Sequence, residues 1–157
     1  KGNKKIAYIG VHKDEVNAAA VRYLGYEDAL KEMGLEVDEN LVYFGELKAR
    51  EGYEGVNKIL EKGTFDALFC ASDEIAMGAI NALREKNIKV PEDVDVIGFD
   101  NIYSASIFYP KLTTVAVPMY DMGSVGMRML IKIINNKELE EKNYILPYEI
   151  IERDSTK

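Results

Sequence analysis

Short apolar runs alternate along this chain with longer stretches in which apolar residues return every three or four positions. Residues 5–10 (KIAYIG) form the first run and, closed by glycine, predict a buried strand. His12–Asp14 lead into a helical period whose stripe is Tyr23, Tyr26, Leu30 and Met33, with Gly34 as its stop. The alternation then repeats. Residues 41–44 predict a second strand, and residues 49–62 a helix that buries Tyr53, Val56 and Leu60 and ends at Gly63. Residues 67–70 predict the third strand, followed by a helix over 73–86 with Ile75, Ala79 and Leu83 inward. A Val90-Pro91 turn precedes the fourth strand at 94–98. Such spacing predicts right-handed βαβ units on a mostly parallel sheet.

After Asp100 the pattern changes. Residues 101–111 read as an exposed loop with a Tyr109-Pro110 turn, 112–117 as extended chain, and 119–135 as a long helix. In that helix Asp121, Ser124, Arg128 and Lys132 make one narrow polar stripe, and nearly everything else is apolar. A helix of this kind needs cover on more than one side. Each large apolar side chain left in water forfeits about 1.5–3 kcal/mol. The pattern therefore predicts self-association, by exchange of the 119–135 helix between copies. Residues 143–151 predict a closing strand and residues 153–157 a polar tail.

The 157 residues suit one domain, and 47% apolar residues suffice for a core. Twenty basic against 27 acidic side chains give a net charge of −7, which argues against nucleic-acid binding by this chain itself. No apolar run is long enough to cross a bilayer. Cys70, alone of its kind, sits inside the third strand and reads as a small buried hydrophobe. A soluble cytoplasmic protein is the expectation; composition leaves open an exported one whose leader was removed.

Phosphate-cradling loops, nucleophile elbows and zinc-binding histidine pairs are all missing, so no metal and no cofactor are expected. What remains lies at the strand exits, where open α/β sheets bind ligands. Ser72-Asp73 leaves the third strand and opens a helix; Asp73 reads as its N-cap, which frees Ser72 to face the cleft. Asp100 directly follows the fourth strand, where it contacts a ligand or ties down the next loop. Arg22, about two turns into the first helix, leans back toward the strand exits or is solvated. Asp100 and a guanidinium together would offer an acceptor and donors to a polyol. His12 reads as a solvated loop residue. A rival reading pairs Asp73 with Asp100 around a metal ion in a doubly wound enzyme or receiver.

KIAYIG, Arg22-Tyr23-Leu24-Gly25-Tyr26, ASDEIAMGAI, KVPEDVDVIGFDN and YPKLTTVAVPMYDMG together resemble the lactose/galactose-repressor (LacI/GalR) family of bacterial transcription regulators. The closing half, VPMYDMGSVGMRMLIKI with LPYEIIERDST, looks most like its catabolite control branch. The resemblance implies an α/β, periplasmic-binding-protein-like lobe: a mostly parallel sheet flanked by helices on both faces, spanning residues 1–157. It implies that residues 112–135 return to a first lobe and that DNA is met only through an N-terminal head, neither present here. A non-enzymatic effector-sensing role follows, in a cytoplasmic homodimer, with a sugar-like or phosphorylated metabolite as effector. By position, the family's inducer-contacting arginine falls on Arg22, its strand-end aspartate on Asp100, and the polar residue that precedes its helix-opening aspartate, usually asparagine, is Ser72 here. The loop residue that stacks on sugars falls on Leu47, which cannot stack, and Val117 replaces a frequent glutamine. These departures weaken the case for an ordinary sugar. In the catabolite control branch a phosphorylated carrier protein docks as corepressor, and Arg128 lies in the matching region; a solvated stripe residue is the plainer reading.

Overall fold

The computed structural model describes residues 2–15 and 18–157; Val16 and Asn17, in the expected lead into the first helix, lie outside them. In chain order the elements are β1 (Ile6–Gly10), α1 (Ala20–Glu32), β2 (Val42–Phe44), α2 (Ala49–Leu60), β3 (Ala67–Cys70), α3 (Asp73–Glu85), β4 (Asp95–Asp100), β5 (Thr113–Ala116), α4 (Met119–Ile134) and β6 (Glu149–Ile151). They build one six-stranded sheet of order β2-β1-β3-β4-β5-β6. Neighbours pair in parallel up to β5, and β6 joins antiparallel, Thr114 facing Ile151.

Strand alternation decides which helix covers which face. Tyr8 points toward α1 and meets Tyr23 and Tyr26 with ring centroids 5.2 Å away in each case. Ile9 points the other way, toward Gly55 of α2. There α2 and α3 lie almost backbone to backbone. A Cβ on Gly52 would strike the Ile75 carbonyl, and one on Gly78 the Ala49 carbonyl, so both crossings need glycine. The core of Ile9, Val56, Ile59, Leu68, Ile75, Ile80, Leu83 and Val96 is wholly or almost wholly buried. Burying each such side chain is worth about 1.5–3 kcal/mol. Cys70 is fully buried, and burial pushes its thiol well above the usual range.

Several expectations change here. Tyr53 is not in the core: it stands 36% exposed and donates its hydroxyl to Glu85, because the α2 contact is made by Gly52, Gly55, Val56 and Ile59. Leu60 is half-buried, and Met33, past the last turn that the sheet covers, is 77% exposed. β4 runs two residues beyond its expected end, so Asp100 closes the strand. The 101–111 loop holds a short 3₁₀ turn, Tyr103–Ser106, with Ala105 buried. Of the predicted 143–151 strand only three residues pair.

The polar tail is also more than a tail. Ser155 is fully buried: its carbonyl accepts the Val96 N–H at 2.8 Å and its hydroxyl donates to the Val96 carbonyl at 2.6 Å. The α4 helix forms as expected yet buries none of its residues. Among the described residues no helix is long and apolar enough to cross a membrane.

Candidate functional site

Parallel strands of one sheet end on one edge, so the exits of β1, β3 and β4 share the sheet's carboxyl edge. α1 begins at Ala20, which places Arg22 in its first turn and not two turns in. From there its guanidinium crosses to the strand exits. Nη2 donates to Asp100 Oδ1 at 3.1 Å and Nη1 donates to the carbonyl of Ala71. The guanidinium carbon lies over the Phe99 ring, 3.9 Å from its centre, a cation–π contact. Both side chains of the pair are less than one-fifth exposed.

Burial raises the Asp100 carboxyl above the ordinary 3.8, and the Arg22 charge and hydrogen bond pull it back only in part. This carboxylate is held at a cost that a ligand's hydroxyls would reduce. Asp73, 0% exposed, is raised by burial too, while hydrogen bonds from Thr114 and Ile102 act against the shift.

The capping role moves by one residue. Ser72, not Asp73, is the N-cap of α3: its hydroxyl oxygen accepts the Ile75 N–H at 3.3 Å, and the residue is 4% exposed. Its hydroxyl oxygen is therefore committed to the helix instead of being turned to the cleft. Asp73 follows as the first helical residue and looks inward, accepting from Thr114 Oγ1 at 2.5 Å and from the Ile102 N–H at 2.8 Å. The two carboxylates of the metal reading thus have separate partners, and among the described residues no group of three or more His, Cys, Asp or Glu is placed to hold a metal ion.

Leu47 lies in the loop between β2 and α2, 38% exposed, outside the Arg22–Asp100 contact. His12 is half-buried: its ring sits edge-on to Phe44 at 4.6 Å and its Nδ1 accepts the Asp14 N–H. Arg128 is on the exposed α4 helix, where with Lys132 and Tyr144 it lines a cavity of about 270 Å³. A second cavity, about 900 Å³, is mostly apolar and runs between α1 and the 117–148 segment, with Arg22 and Phe99 in its wall.

Sequence reasoning named the pair but missed what frames it. The Phe99 platform was in view inside Phe99-Asp100-Asn101, without a role. The Ala71 carbonyl carries no side-chain signal at all.

Across residues 1–156 the chain matches the model of the periplasmic binding protein-like domain. It is 56% identical over 157 residues to the HTH-type transcriptional regulator RegA of Clostridium saccharobutylicum, covering 99% of this chain and 47% of that protein. It is 40% identical over 158 residues to catabolite control protein A of Streptococcus mutans, covering all of this chain and 47% of that one. Among solved structures, the transcriptional regulator CelR–cellobiose complex superposes with a TM-score of 0.91 at 34% identity, over 98% of this chain and 47% of that one. The chain spans about half the length of the curated relatives it matches.

Proposed function

Because this chain belongs to the periplasmic binding protein-like domain family, within the LacI-type transcription regulators and near their catabolite control branch, we propose that it is one wall of an effector cleft. The observation that carries the reading is the Arg22–Asp100 pair at the strand exits, largely buried and with its guanidinium against the Phe99 ring. Guanidinium donors and carboxylate acceptors converge there on the hydrogen-bonding pattern of vicinal hydroxyls, and the same guanidinium suits a phosphate. The cellobiose in the CelR complex supports a sugar-like effector; a phosphorylated metabolite fits the same donors. Ser72 stands at the exit of β3, next to β4, and Leu47 beyond β2, two strands from β3 and without a stacking face.

The work is done by differential affinity, not by bond chemistry. An effector bridging two lobes favours one closure angle and biases DNA affinity through a separate head. The setting is a cytoplasmic dimer; of the 112–135 segment, β5 stays paired with β4 in this sheet, and the remainder from residue 117 belongs with a first lobe, which accounts for an α4 helix that buries nothing.

Calorimetry with cellobiose and with glucose 6-phosphate tests the reading. The 157-residue chain should show weak or no binding, because half the site is elsewhere, and tight binding to it alone overturns the two-wall scheme. Joined to its other half, the protein should bind, and Arg22→Ala should weaken that binding by roughly tenfold to a hundredfold, the equivalent of a lost charge-assisted hydrogen bond of about 1.5–3 kcal/mol.

A second reading rests on Arg128, exposed beside Lys132 on α4. There a phosphorylated carrier protein would dock as corepressor. Arg128→Glu should abolish that docking; unchanged affinity removes the idea.

A further inference from the structure

Asp100 reaches Arg22 because the chain turns sharply where β4 ends. Asp100 (φ 107°) and Asn101 (φ 55°) lie consecutively in the left-handed region, which aspartate and asparagine tolerate better than most residues but which, twice in succession, surrounding contacts are needed to hold. Three hydrogen bonds do so. The Asn101 N–H donates to Thr114 Oγ1 at 3.3 Å, the Ile102 N–H donates to Asp73 Oδ2 at 2.8 Å, and Asn101 Oδ1 accepts from Arg153 Nη2 at 2.7 Å.

The last of these comes from far along the chain. Arg153 stands two residues beyond β6, and its guanidinium spans two acceptors: Nη1 donates to the Leu112 carbonyl at 2.7 Å while Nη2 holds Asn101. Its backbone N–H donates to Thr113 Oγ1 at 2.8 Å. One side chain therefore joins the turn after β4, the entry to β5 and the exit from β6. The latter two strands bracket the 117–148 segment.

Resting on the effector reading of the cleft, we propose that Arg153 is a positioning residue of this site. Through Asn101 it holds the left-handed turn that aims the Asp100 carboxylate at Arg22, and so ties the cleft to the placement of the β5–β6 pair. Effector and strand placement then act on one another, because any shift of β6 relative to β4 loosens the carboxylate. A planar fork is needed for two acceptors at once, so lysine cannot replace it.

The test reads the Arg22 guanidinium in the 157-residue chain by ¹H–¹⁵N spectra at low temperature, with the signal assigned by its loss in Arg22→Lys. Arg153→Met and Asn101→Ala should each speed exchange of the Arg22 guanidinium protons by roughly tenfold, about what one lost hydrogen bond implies. Arg153→Lys should not rescue, and Asn101→Asp, which keeps an acceptor and tolerates the left-handed region, should keep the slow signal. A wild-type Arg22 signal in folded Arg153→Met overturns the proposal, whatever happens to the melting temperature. Should Arg153→Met fail to fold, Asn101→Ala decides, since it leaves the Leu112 and Thr113 bonds in place. Absence of a slow Arg22 signal in the unmodified chain would overturn the Arg22–Asp100 pair itself. The spectra speak to Arg153 with no effector added, whereas the effector reading is decided by the calorimetry above.

Discussion

Tyr8 is the sharpest single-residue case. Its ring lies at the centre of a cluster with Tyr23, Tyr26, Phe44 and Phe69, yet its hydroxyl is buried with no hydrogen-bond partner among the described residues. A buried hydroxyl without a partner carries its desolvation cost uncompensated. Tyr8→Phe keeps the ring contacts and should raise stability by about 1 kcal/mol, read as a higher urea midpoint at unchanged slope. A fall in stability would reveal a partner.

Asp100 gives the pH prediction. Its folded carboxyl titrates above 3.8, so between that value and its raised one the folded state holds more protons than the unfolded state. Stability then falls as pH rises through this window. Compared with Asp100→Asn, the unmodified chain should lose stability from pH 4 to pH 7 in urea melts. In Arg22→Met the carboxyl should titrate higher still by ¹³C spectroscopy, since the guanidinium is the largest lowering influence. A titration midpoint that drops in Arg22→Met would contradict this account.

At the scale of elements, the α2–α3 crossing depends on two missing side chains. Gly78→Ala sets a methyl against the Ala49 backbone, which has no rotamer by which to escape. A cost of about 1–3 kcal/mol, the usual range for overpacking, is expected in thermal melts. The same change at Gly25, where nothing lies within 4 Å, should be neutral or slightly stabilising, as expected for glycine to alanine in a helix. Equal effects at the two positions would show that the helices do not approach as described. Both glycines lie inside helical patterns, where sequence alone reads each merely as a weak helix former.

For the whole molecule the α4 helix decides behaviour. Met119, Met122, Met127, Ile131, Ile133 and Ile134 are all more than half exposed. Water contact on this scale drives association. Light scattering on the 157-residue chain should show mass rising with concentration, and Ile131→Glu with Ile134→Lys should return it to a monomer without lowering the melting temperature. A monomer at high concentration in the unmodified chain would argue against exchange of this helix.

What the sequence by itself determined was everything periodic or local. The βαβ order, the parallel sheet, the helix 119–135 and the candidate pair of Arg22 and Asp100 were all legible, because burial imposes a spacing on side chains and a strand exit is marked by the first polar residue after an apolar run. What only the tertiary structure decided was set by contacts between distant segments. The shift of the cap from Asp73 to Ser72 follows from Thr114 and Ile102, which draw Asp73 inward. The inward path of the tail follows from Ser155 meeting Val96. The strap from Arg153 to Asn101 joins residues 52 positions apart. No period or spacing records such meetings, since they arise only when the folded sheet brings the exits of separate strands together.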